Sequence, residues 1–207
     1  MAGDAEPSMT TQSFMAASAD VAVPGGSRPV PVPLNRRTLG PVPAERVRRL
    51  RKHLVESLRG ERELKHPERS ASPLRPEPEG FAGMVARAAC ALCGGWCCKG
   101  GEEHAYLDER TMARVRRARP ELDARAVIRL YTQRVPAAGF EGSCVFHGAR
   151  GCTLDRALRS DVCNSYFCSG LGHFVKDADS TGSVVVVAGE GEGRRVSPLL
   201  RATVHEA

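Results

Sequence analysis

All eight cysteines of this 207-residue chain fall between Cys90 and Cys168. So do nearly all the rings: the Trp, every Tyr and every Phe except Phe14 lie between Phe81 and Phe174. The residues able to build a core are thus concentrated in about half the chain. Small domains bury a modest share of their surface and are often stapled by metals or disulfides. Aromatic residues make up only 5% of the chain, which strengthens the expectation of a staple.

The redox compartment decides how clustered thiols are read. A secretory leader needs a basic start and an unbroken apolar run of about 7–15 residues. The first thirty residues instead carry Asp4, Glu6 and Asp20. Nothing approaches the roughly 18 apolar residues of a membrane span. The expected location is cytoplasmic, where thiols stay reduced and such clusters mean metal or redox chemistry more often than disulfides. The net charge of +6, mostly arginine, permits an acidic partner without demanding one.

The organisation reads as follows. Residues 1–43 are rich in Pro, Ala, Ser and Gly and are expected to be disordered, with a polyproline ligand as the functional alternative. Residues 44–66 form a basic amphipathic helix. Val47, Leu50, Leu54 and Leu58 make its apolar stripe, and Arg46, Arg48, Arg49, Arg51 and Lys52 crowd the rest. It packs on the domain or on a protein partner; nucleic-acid or membrane-surface binding is the alternative, although the stripe lacks aromatic anchors. Residues 67–79 are a proline-rich linker. Residues 80–175 are the cysteine-cluster domain, expected to stand without residues 1–74, which hold no thiol. Its helices are predicted at 81–89, at 109–118 behind the candidate cap Asp108, and at 122–134, ended by Pro136. Residues 176–207 read as a β-hairpin and tail, with a Val184–Val187 strand and a glycine turn at Gly189, Gly191 and Gly193. The predicted fold class is a small, mainly α, metal-stapled cysteine-rich domain, or α+β if the hairpin packs on it.

The first cysteine block is Cys90-Ala-Leu-Cys93-Gly-Gly-Trp-Cys97-Cys98. A two-residue gap lets a tight turn aim Cys90 and Cys93 at one ion, which suits a zinc knuckle, part of an iron–sulfur ligand set, or a redox dithiol. The second block is Cys144, Cys152, Cys163 and Cys168, with seven, ten and four residues between them, so the fold must gather these thiols.

These motifs resemble the YkgJ-like cysteine-cluster family, a group of zinc- or iron-chelating domains named for a C-x2-C-x2-C-C opening. The resemblance covers about Cys90 to Leu171. It rests on the adjacent Cys97-Cys98 pair, on Cys144 followed by Gly151-Cys152-Thr153-Leu154, and on Arg159-Ser160-Asp161-Val162-Cys163 with Tyr166-Phe167-Cys168. Three features depart from the pattern: three residues instead of two between Cys93 and Cys97, Ser160 in place of proline, and one extra residue between Cys152 and Cys163. The resemblance implies chelation by Cys90, Cys93, Cys97, Cys98, Cys144, Cys152, Cys163 and Cys168, and implies no reaction.

Zinc accepts four thiolates, so eight could hold two ions; a four-iron cluster also takes four. The absence of a histidine at zinc-finger spacing favours iron–sulfur. The two blocks are expected to meet, with Cys163 and Cys168 completing a site begun by Cys90 and Cys93. Cys97 and Cys98, being neighbours, are expected to diverge. Glu102, Glu103 and His104 could add ligands, although such a run is ordinarily a solvated loop. His147, three residues after Cys144, permits shared ligation but reads more commonly as an exposed loop histidine. Trp96 and Tyr166 are expected to shield the site. The function predicted is a metal-binding cysteine-cluster protein. The alternatives are a redox enzyme or enzyme subunit using the cluster, and a zinc-stapled adaptor contacting nucleic acid through its arginine-rich helices.

Overall fold

The computed structural model describes residues 25–65, 76–177 and 182–202. The architecture is α+β and divides into two compact units: residues 1–34, 77–93 and 167–207 form one, and residues 35–76 and 94–166 the other.

The first unit is built on β1 (Ser27–Val32) and β6 (Ser183–Ala188), paired in parallel from Ser27↔Ser183 to Val32↔Ala188. The valine run of β6 is buried along its whole length, as expected for a strand covered on both faces. Two short strands, β7 (Arg195–Val196) and β8 (Leu200–Arg201), return antiparallel to β6, so the expected hairpin is present. Two helices pack on this sheet, α2 (Gly80–Cys93) on β6 and α6 (Ser169–Lys176) on β1. Phe81 and Phe174 join them edge to face at 6.1 Å.

The expectation of disorder over residues 1–43 therefore does not hold for the described part of that stretch. Val30 and Val32 are each 1% exposed and form part of the core. Pro29 and Pro31 are compatible because β1 lies at the edge of the sheet, where a strand tolerates residues without an N–H. Residues 1–24 and residues 66–75, the last residue of the expected helix and most of the expected linker, lie outside the described residues.

The second unit has a helical core and a small antiparallel sheet. Helix α1 (Ala44–Glu63) packs on α3 (Glu109–Ala118) and α4 (Ala124–Thr132). Leu50 and Leu54 are fully buried, together with Leu58, Met112, Val115, Val127, Tyr131, Val145 and Phe146. Asp108 caps α3 by accepting from the Thr111 N–H at 2.8 Å, as predicted, and Asp123 caps α4 through Ala126 N–H at 2.7 Å. The sheet runs in the order β2 (Leu39–Pro41), β3 (Ala138–Phe140), β4 (His147–Gly148), β5 (Gly151–Cys152).

The predicted boundary at residue 80 is thereby corrected. The α1 stripe packs into the core of the unit that carries five of the cysteines, because a helix with an apolar face must bury it somewhere and α3 and α4 offer the matching surface. Deleting residues 1–74 would strip Leu50, Leu54 and Leu58 from that core. Leu54→Ala is expected to cost about 2–5 kcal/mol in urea denaturation. A cost near zero would remove α1 from the fold.

Candidate metal centre

Five cysteines from both blocks share the second unit: Cys97, Cys98, Cys144, Cys152 and Cys163. Cys97 and Cys98 ride on a 3-10 helix, Trp96–Gly101. Its C-terminal end is laced to the second block by backbone bonds. The Cys144 N–H donates to the Cys98 carbonyl at 2.9 Å, and the Val145 N–H donates to the Glu102 carbonyl at 2.7 Å. Gly101 lets the two segments approach: a Cβ there would lie 2.9 Å from the Cys144 Cβ and 3.2 Å from its Sγ. Cys152 is brought in by its β4–β5 pairing with His147. Cys163 sits in the short helix α5 (Asp161–Ser165), with its Sγ 3.9 Å from the Ala105 carbonyl oxygen. Ser160, where the family pattern has proline, caps α5 by accepting from the Cys163 N–H at 3.1 Å.

The electrostatics record the same proximity. A hydrogen bond from Cys98 stabilises the Cys97 thiolate and lowers its pKa to about 7, while Cys98 itself is pushed up by that bond, by burial and by the charges of Cys97, Cys144 and Cys152. Burial, reinforced by Cys152 and Cys163, pushes Cys144 up to about 12. Cys163 is raised by burial, with Cys152 and Cys97 adding to it. Tyr106 lies within reach of these charges: burial raises its pKa, as do Cys163, Cys97, Cys144 and Cys98. Sequence reasoning gave this tyrosine no role, because an isolated aromatic in a polar loop carries no pattern. The loop holds it through left-handed backbone at Glu102 (φ 38°), Ala105 (φ 50°) and Tyr106 (φ 54°). Non-glycine residues seldom adopt that conformation, and it concentrates at functional sites.

The remaining candidates fall elsewhere. Cys90 and Cys93 end helix α2, a turn apart on a helix instead of in the expected tight turn, and belong to the first unit with Cys168, which precedes α6. Cys163 and Cys168 thus fall in different units, because the boundary between Tyr166 and Phe167 separates them. Glu103 is bound by Arg46 at 2.7 Å and Arg49 at 3.2 Å; these bonds outweigh its partial burial and hold its carboxyl below the usual range. The His104 Nδ1 accepts from the Tyr106 N–H at 2.9 Å, a local turn contact. The Trp96 ring carries the cations of Arg37 and Lys99 over it, at 5.2 and 4.6 Å from its centroid. Tyr166 is 54% exposed, so it is not part of the core.

His147 is the largest departure from expectation, being 1% exposed instead of a loop histidine. Its Nδ1 bonds the Ser143 hydroxyl at 2.8 Å, its ring tilts on Phe140 at 4.6 Å, and its Nε2 rests against the Gly94–Gly95 backbone without a well-formed hydrogen bond. It braces the loop ahead of Cys97 and Cys98.

Among the described residues, no three or more Cys, His, Asp or Glu side chains surround one point closely enough to hold a metal ion as they stand. A shared ion would have to draw the thiols together by side-chain rotation. The donor chemistry suits a thiolate-bound metal: four of the five sulfurs are held on short elements whose backbones are mutually hydrogen-bonded or strand-paired, and no disulfide ties up any of the eight. No helix among the described residues is long and apolar enough to cross a membrane. The chain matches no known family model, no curated protein and no solved structure.

Two outcomes are expected. At Gly95, φ is +80° and a Cβ would lie 2.4 Å from the His147 Nε2. Gly95→Ala should therefore lose at least the roughly 1–2 kcal/mol of a left-handed alanine, read by urea denaturation. Burial lowers the His147 pKa below its ordinary 6.5, so the neutral ring is the form the fold favours. Its contribution is full above 6.5 and is lost as pH falls through the depressed value. The melting temperature should decline on acidification below about 6.5, and less steeply in His147→Phe; equal slopes would contradict the assignment.

Proposed function

We propose that this chain is a metal-binding cysteine-cluster protein. Its thiols hold an iron–sulfur centre or zinc, and four of the five thiols Cys97, Cys98, Cys144, Cys152 and Cys163 supply the ligands of one centre. The observation that carries this reading is the convergence of these five thiols, from four separated stretches of chain, in a single compact unit. The YkgJ-like motifs support it independently. A bound cation would stabilise the thiolates of Cys98, kept protonated by its bond to Cys97 and by burial, and of Cys144, kept protonated by burial, releasing protons as it binds, so affinity should fall as pH falls. When bound, zinc would cross-link the unit, and an iron–sulfur centre would add one-electron chemistry.

The test is anaerobic purification followed by metal analysis and visible spectroscopy. The expected result is stoichiometric metal, coloured for iron–sulfur and colourless for zinc. The double variant Cys144→Ser with Cys152→Ser should lose metal from this centre and show weaker near-ultraviolet circular dichroism. Full loading in that variant, with an unchanged spectrum, would contradict the assignment.

A further inference from the structure

The exposed side of α1 is not explained by metal binding. On a helix advancing about 100° per residue, Arg48, Arg51, Lys52, Arg59 and Arg62 fall within about 100° of its circumference. Those five positions are all exposed. They extend over 15 residues, from Arg48 to Arg62, a stripe about 21 Å long. The carboxylates of the helix are kept off it: Glu45, Glu56 and Glu63 follow the neighbouring edge, and Glu61 is turned to Arg116 at 2.8 Å. Arg48 reaches Glu45 at 2.8 Å, and Lys52 stands 4.0 Å from Glu56. Arg51, Arg59 and Arg62 have no carboxylate or hydrogen-bond partner among the described residues. A merely solvated helix commonly interleaves charges as i,i+4 pairs. Here the helix concentrates cations along one line, and three of its guanidinium groups are uncompensated among the described residues.

We infer that this stripe binds the phosphate backbone of a nucleic acid. Guanidinium groups present planar, bidentate donors that match phosphate oxygens, and four of the five cations are arginine. Only Val55 interrupts the stripe, so it lacks the apolar and aromatic residues with which an interfacial helix anchors in a bilayer. The opposite face of α1 is committed to the core through Leu50, Leu54 and Leu58, which holds the stripe rigidly outward. The face carries no base-reading pattern, so binding is through the backbone and is salt-dependent. None of this rests on the metal reading.

The experiment is fluorescence anisotropy of a short labelled DNA duplex and a single-stranded RNA, titrated with the full chain over a series of salt concentrations. Binding of at least one probe is expected, weakening as salt rises. The triple variant R51Q/R59Q/R62Q should bind at least about tenfold more weakly at low salt, and its logarithmic salt slope should be shallower by about 2–3. The corresponding triple lysine variant should retain most of the affinity. These positions are exposed, so an unchanged circular dichroism spectrum and melting temperature are expected and checked first. Absence of binding at low salt, equal binding by the glutamine variant, or binding only to phosphatidylserine–phosphatidylcholine vesicles would each overturn the proposal.

Discussion

The hydrogen bond from the Cys144 N–H to the Cys98 carbonyl joins two segments separated by more than forty residues of sequence. Its companion from Val145 to Glu102 fixes the register of that contact. The rest of the candidate centre follows from the pair. With Cys144 held on the 3-10 helix, the strands that leave it carry His147 back under Gly95 and place Cys152 opposite His147. The loop between Gly101 and Leu107 must then turn tightly, and its left-handed residues hold Tyr106 within electrostatic reach of the thiols. Strain at three non-glycine positions of one short loop persists only where surrounding contacts over-determine the backbone. Here those contacts are the lacing bonds, Ala105 N–H to the Gly101 carbonyl, and Leu107 N–H to the His104 carbonyl.

Helices α1 to α4 were legible because they carry their own signals, such as the helical spacing of the α1 stripe and the cap Asp108, whereas the short helices α5 and α6 were not predicted. The buried valine run of β6 was legible for the same reason. Its principal partner was not, because the composition of Ser27–Val32 reads as proline-rich coil and only pairing with a strand some 150 residues away gives it a structure. The eight cysteines drew attention to the stretch that carries the candidate centre, and the expectation that the two blocks meet came from ligand arithmetic. Which thiols share a unit did not follow. Cys90 and Cys93 look like a chelating pair in the sequence, yet the helical propensity of Phe81–Leu92 runs straight through them and carries them into another unit. His147 was misplaced because nothing local shows that a histidine between Phe146 and Gly148 becomes a buried brace. Its role depends on Ser143 and Gly95, and so on the fold.

The charges are arranged as unevenly as the thiols. Arg46, at the start of α1, turns inward to Glu103 and to the Ser143 carbonyl, tying the helix to both loop segments of the candidate centre. Further along, the cations turn outward and line up. One helix therefore both braces the thiol unit and presents its most basic surface, which is why separating a basic helix from a cysteine domain in the sequence misdescribes the molecule.

The central claim is that thiolates of the second unit meet at one metal centre, and X-ray absorption spectroscopy of the anaerobically loaded protein addresses it most directly. The expected result is a first shell dominated by sulfur, at about 2.3 Å for zinc. That sulfur contribution should drop in Cys144→Ser. A shell of oxygen and nitrogen, or a sulfur shell indifferent to Cys144, would contradict the account.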